Sequence, residues 1–158
     1  MKPDPVLTAL RDRAEITDTL LRYGSCIDLV DREALRALLA DDLWARYGNG
    51  EPIVGGDAVV DWIVQATAGT LRQHHMLNVY EVDVDRDTAR ALVYHTSHRV
   101  LRNTPDTVSI LVGRYHAELR RAGEGWLITR IVLEYVWAER RTDDTSQLAS
   151  IGGAGPPL

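Results

Sequence analysis

The chain has 158 residues, 45% of them hydrophobic and 26% charged, the proportions of an ordinary soluble domain with one core. A formal net charge of -5 and a pI near 5.5 argue against nucleic acid or an anionic membrane as partner. No apolar run reaches the length of a bilayer span, no signal-peptide core opens the chain, and Cys26 is the only cysteine, so no internal disulfide can form. A cytoplasmic protein is the expectation.

Asp4 between Pro3 and Pro5 is a plausible cap for a helix over 6–29. At about 100° per residue, Ile16, Leu20, Leu21, Gly24 and Ile27 share one arc, and Leu7, Leu10, Ala14 and Thr17 are expected to extend it inward. Asp31 reads as the N-cap of a short helix over 32–39. A strand at 43–47 turns at Gly48-Asn49-Gly50 into a return at 52–54. Gly55-Gly56 breaks the chain before a helix over 57–68 whose apolar face is Val59, Val60, Ile63 and Val64. Long strands are predicted near 73–84, 88–101, 106–121 and 126–138, separated by turn-forming stretches at 85–87, 103–105 and 122–125. Three helices before a meander of long strands is an α+β plan with the helices on one face of a curved sheet. Residues 1–140 form a single domain in this reading, and 141–158 are a tail, flexible or covering the pocket.

Asp28 breaks the helical pattern, because it places a carboxylate inside the apolar arc. Such a group needs a dedicated hydrogen-bonding partner. The five histidines, His74, His75, His95, His98 and His116, all fall on predicted strands. His74 and His75 face opposite ways, as do His95 and His98, and strand alternation alone does not choose between His74 and His75 as the partner. No pair has a helical metal-binding spacing and no cysteine accompanies them, so no metal is expected. A neutral histidine donating one ring N–H to Asp28 would keep its other nitrogen as a base. A purely structural Asp–His bond is the competing reading. Gly55-Gly56 lacks the spacing of a dinucleotide loop, and no phosphate loop is present, so no organic cofactor is expected.

Arg22-Tyr23, Ile27-Asp28, Asp31, Leu35 and the run 38–42 together resemble the opening of SnoaL-like proteins of the nuclear transport factor-like superfamily. The resemblance continues through Gly55-Gly56, the run 70–75, the run 87–91 and Gly125-Trp126-Leu127-Ile128, covering roughly 8–138. It implies a cone of three N-terminal helices on a curved, mostly antiparallel sheet enclosing a pocket. Members of the scytalone dehydratase type pair a helix-one Asp with a His at the start of a strand. Asp28 matches the first and the spacing from Thr70 favours His75 for the second, with His74 the fallback. Tyr23 matches a pocket tyrosine of some members and Tyr47 sits near a strand tyrosine of others, and Tyr23 stands where some members carry a lysine. The second catalytic histidine and the late-strand arginine of some members have no clean counterpart.

The resemblance implies a cofactor-independent lyase or isomerase, removing water from a small hydrophobic, cyclic alcohol or ketone. Asp28 and His75 would act as general base and acid, with Tyr23 and Tyr47 holding the developing oxyanion. Trp44, Trp62, His74, His95 and Trp137 are the candidates for contact with the substrate. Apart from His95, the later histidines, His98 and His116, read as structural or surface residues. A non-catalytic ligand-binding or assembly module of the same fold is the alternative, and a small epoxide hydrolase the third reading. A homo-oligomer of two or three chains is expected.

Overall fold

A computed structural model describes residues 4–142. Helix α1 spans Pro5–Leu29. Asp4 caps it by accepting from the Val6 N–H at 2.8 Å, and Pro5 occupies the first turn, where its missing N–H costs nothing. The helix ends as Val30 turns into the left-handed region at φ +54°. That reversal delivers Asp31 as cap of α2, Arg32–Ala37, where its carboxylate accepts from the Ala34 N–H at 3.0 Å. Strand β1 runs Leu39–Tyr47, starting earlier than 43 because α2 stops at Ala37. The return strand β2 is Ile53–Val54, and α3 covers Gly56–Thr67 after Gly55 at φ +102°. Four long strands follow: β3 Thr70–Asp85, β4 Thr88–Leu101, β5 Thr104–Ala122 and β6 Gly125–Thr142. Arg141 and Thr142, assigned to the predicted 141–158 tail, are instead the end of β6, paired with Val108 and Thr107 of β5, and the rest of that tail lies outside the described residues.

The strands form a six-stranded sheet in the order β2-β1-β6-β5-β4-β3. All neighbours are antiparallel except β1 with β6. The result is the expected curved α+β cone with three helices at its N-terminal end. Ile16, Leu20, Leu35, Leu43, Val59, Ile128 and Ile131 belong to the hydrophobic core, to which the helices and the sheet both contribute. Among the described residues no helix is long and apolar enough to cross a membrane.

Helix α1 buries a different arc from the one expected. Its buried residues are Asp12, Ile16, Thr19, Leu20, Tyr23, Gly24, Cys26 and Ile27, whereas Leu7, Leu10 and Leu21 are 65%, 61% and 43% exposed and Ala14 also faces solvent. The apolar residues of this helix span more than one face, and the sheet covers only one of them. Asp12 sits in the covered face because Arg121 meets it with paired contacts of 2.8 Å from both terminal nitrogens. Arg121 also reaches Asp87 at 3.0 Å and stacks over the Trp126 ring at 4.5 Å. Asp12, the most deeply buried acid of this helix, is therefore held by a structural ion pair.

Candidate active site

The last turn of α1 lies against β3, one of the two edge strands of the sheet. Gly24 allows the close approach, since a Cβ there would stand 2.8 Å from Leu77 Cδ1 and 3.5 Å from His75 Cβ. One helical turn later, Asp28 faces the open edge of β3. Its Oδ2 accepts the His75 backbone N–H at 2.7 Å, and its Oδ1 contacts His75 Nδ1 at 2.5 Å. A carboxylate only accepts, so Nδ1 carries the hydrogen and donates it. Gln73 adds a third tie, donating from Nε2 to the Ile27 carbonyl at 2.7 Å. The His75 Nε2 atom makes no hydrogen bond among the described residues and belongs to a ring that lines the main cavity.

That cavity has a volume of about 720 Å³ and is built in rungs across β3, β4, β5 and β6. The deepest rung is Val79, Val93, Tyr115 and Leu133; the next is Leu77, His95, Gly113 and Tyr135; above it come His75, Ser97, Leu111 and Ala138. His95 is 2% exposed, and neither of its ring nitrogens has a hydrogen-bond partner. Its ring centroid lies 5.4 Å from that of His75 and 5.0 Å from that of Tyr115. Gly113 faces it with no side chain, and a Cβ there would stand 2.5 Å from the Glu134 carbonyl oxygen. On the far wall the Tyr23 and Tyr47 hydroxyls share a 2.6 Å hydrogen bond, and Tyr47 stacks on Trp62 with ring centroids 4.5 Å apart. Tyr23 is buried behind Tyr47 and reaches the cavity only through it.

Burial governs the ionisation of these groups. Desolvation raises the phenols of Tyr23, Tyr47 and Tyr115 well above the ordinary tyrosine value, so all three stay neutral donors. His95 is lowered to about 4, first by desolvation and then by the neighbouring His75. Its depressed value makes a stability prediction. The folded protein keeps His95 neutral while the unfolded chain takes up a proton below the ordinary value of 6.5. This contribution is complete above pH 6.5 and is lost as the pH falls towards 4. The full loss is about 3 kcal/mol at most, from 1.36 kcal/mol per unit. Urea denaturation at pH 7, 5.5 and 4.5 should show this slope in the wild type and a flatter one in His95→Phe. Equal slopes would remove His95 as its source.

Of the residues singled out from the sequence, Asp28, His75, His95, Tyr47 and Trp62 converge on the cavity or its wall, with Tyr23 behind. Three do not. His74 points outward, where it stacks on His98 at 5.9 Å. Trp44 lies on the outer face under the Arg130 guanidinium at 3.9 Å, because it is three residues from the inward Tyr47 and alternation sends the two apart. Trp137 is 47% exposed: a register shift opposite Val112 and Gly113 makes Val136 an extra residue, so Tyr135 takes the inward place and Trp137 the outward one. Tyr115 and Tyr135 are among the cavity residues that sequence reasoning missed, and Arg99, Ser109 and Arg140 at the rim are others. Tyr115 shares its phase with Leu111, Gly113 and Ala117, which was a readable signal. Tyr135 depends also on Gly48 at φ +59°, where a Cβ would stand 2.2 Å from the Tyr135 ring. Among the described residues no group of three or more His, Cys, Asp or Glu is arranged to hold a metal.

The sequence comparison agrees with this architecture. Residues 8–132 match the SnoaL-like domain, and the chain belongs to that family. No curated protein matches it in sequence. Among solved structures it is similar to the Kfla4162 protein of Kribbella flavida, at 23% identity and a TM-score of 0.76, over 83% of this chain and 95% of that one. It is also similar to a candidate scytalone dehydratase of Novosphingobium aromaticivorans, at 19% identity and a TM-score of 0.77, over 95% and 99% of the two chains. A type 2 hexachlorocyclohexane dehydrochlorinase aligns at 15% identity and a TM-score of 0.79, over 96% and 99%. At these identities the shared property is the fold.

Proposed function

We propose that this protein is a cofactor-independent lyase or isomerase that eliminates water from a small hydrophobic, cyclic β-hydroxy ketone or related alcohol. The observation that carries the reading is the 2.5 Å contact of Asp28 with His75 Nδ1, which leaves Nε2 as the ring nitrogen available to a bound molecule. Kinship with folds described as a dehydratase and a dehydrochlorinase supports the same class, both names denoting eliminations.

In this mechanism His75 Nε2 removes the proton from the carbon beside the carbonyl. The imidazolium so formed is favoured by the Asp28 carboxylate and by the negative end of α1. Negative charge gathers on the carbonyl oxygen, where Tyr47, backed by Tyr23, donates a hydrogen bond. The neutral His95 offers a second donor at the same depth. The C–O bond then breaks as the electron pair forms the new C=C bond, and His75 returns its proton to the departing hydroxyl, which leaves as water. Each transfer by a positioned group is worth about 10²- to 10⁴-fold. Trp62 and Leu133 supply apolar walls for the ring. The exposed Met76, Tyr80 and Trp137 on the outer face support assembly into two or three chains. A cytoplasmic setting suits the buried free thiol of Cys26.

The first chemical step can be tested without knowing the natural substrate. Cyclic ketones such as 1-tetralone are incubated with the protein in D2O, and deuterium entering the carbon beside the carbonyl is followed by NMR. The expected result is exchange catalysed by the wild type and reduced by about 10²-fold or more in His75→Gln. Ketones that bind by calorimetry yet exchange no faster than in buffer would favour the non-catalytic binding module.

A further inference from the structure

The inner face of the sheet carries one more rung, above His75, that the elimination does not use. Gln73 pairs with Arg99, Arg99 with Ser109 and Ser109 with Arg140, and all four line the cavity. Adjacent strands are about 5 Å apart, so the two arginine stems rise on either side of Ser109 from roots about 10 Å apart. Arg99 is steadied by donating from Nη1 to the Ala66 carbonyl of α3 at 3.2 Å. Arg140 has no hydrogen-bond or ion-pair partner among the described residues. The carboxylates that line or adjoin the cavity are already engaged: Asp28 with His75 and Glu139 with Arg141. A chain of net charge -5 thus keeps uncompensated positive charge at the mouth of an apolar cavity. Inside such a rim, low dielectric strengthens the attraction for an anion.

We propose that Arg99 and Arg140, with Ser109 between them, form a carboxylate subsite, and that the substrate of the Asp28–His75 site is a hydrophobic cyclic ketone or alcohol bearing a carboxylate. The proposal deepens the lyase reading and rests on it for the reacting end of the substrate. The planar guanidinium fork matches the two oxygens of a carboxylate, and the Ser109 hydroxyl supplies a further donor. One rung is two residues, or about 7 Å along the strand. The carboxylate therefore lies about one fused bicyclic ring away from the carbon that His75 addresses.

The test compares two ligands that differ only in charge: 1-tetralone-6-carboxylate and its neutral 6-carboxamide, titrated calorimetrically into the full-length protein at low salt. The acid is expected to bind at least about tenfold more tightly than the amide, an advantage that shrinks as salt is added. Arg99→Gln and Arg140→Gln should each reduce the preference, and the double variant should abolish it, with circular dichroism checking that each is folded. An acid that binds no better than the amide, or that fails to bind, overturns the subsite, as does a preference that survives in the double variant. The same ligands in D2O separate the two ideas. Acid preference without catalysed exchange in the wild type removes the lyase reading and leaves the subsite. Exchange without acid preference removes the subsite alone.

Discussion

Asp28→Asn is expected to leave the protein folded and, under the proposed elimination, to lower turnover by about 10²- to 10⁴-fold. The carboxylate serves two donors at once, accepting the His75 backbone N–H at 2.7 Å on one oxygen and contacting Nδ1 at 2.5 Å with the other. An asparagine has the same shape but only one accepting oxygen. If that oxygen stays on the backbone N–H, the amide nitrogen faces Nδ1 and favours the tautomer that carries its hydrogen on Nε2, which can no longer act as base. If the amide turns over, its N–H groups oppose the backbone donor. In either arrangement the positive charge of a protonated His75 loses its counter-ion. The measurement is kcat and kcat/KM across pH, with NMR of the His75 ring nitrogens to report the tautomer. An Asp28→Asn protein with an unchanged rate and pH profile would reduce the pair to a structural link between α1 and β3.

The largest effect on stability belongs to another acid of α1, Asp12. Asp12→Ala is expected to cost about 3 kcal/mol, because it removes one partner of a buried, doubly hydrogen-bonded ion pair and strands Arg121 against Trp126. In a domain of this size that is a fall of about 10 °C in melting temperature. Arg121 keeps Asp87 as a partner, which holds the cost to the lower end of the range for broken buried pairs. The Arg121 hydrogen bonds also lower the Asp12 carboxyl below its ordinary 3.8. Its contribution is therefore present above that value and lost as the pH falls below it, separate from the His95 window. Replacing both groups, Asp12→Leu with Arg121→Met, should recover most of the loss, since a well-packed apolar pair needs no counter-ion. A single Asp12→Ala variant that melts with the wild type would show that Arg121 relaxes freely to Asp87.

The two acids show where local patterns inform and where they stop. Asp28 stood out because its neighbours on the arc are apolar, and its partner was narrowed to adjacent histidines. Asp12 did not stand out, because the covered face of α1 is set by where the sheet lies rather than by where leucines are densest. Leu7 and Leu10 are apolar and exposed for the same reason. Strand phase was readable over short stretches and failed wherever a residue was inserted. On β3 the register shift between Val79 and Glu81 returns Val82 and Val84 to the side of His75. Both faces of that strand consequently read as apolar, and alternation could not separate His74 from His75. On β6 the extra Val136 exchanged Trp137 for Tyr135.

By itself the sequence determined the elements, their order and several of their ends: Asp4 and Asp31 as caps, the Gly48 and Gly55 breaks, three helices and then long strands. These are local matters, decided within a few residues by backbone conformation and by capping hydrogen bonds. It also marked Asp28 as a group in need of a partner. Strand alternation left His74 and His75 open and the family resemblance favoured His75; the tertiary structure brings His75, 47 residues away, onto Asp28, because Gly24 admits α1 to the edge of β3. Tertiary structure likewise decided which aromatic rings face the cavity, since bulges are settled by pairing with a neighbouring strand and leave no mark on the strand's own alternation.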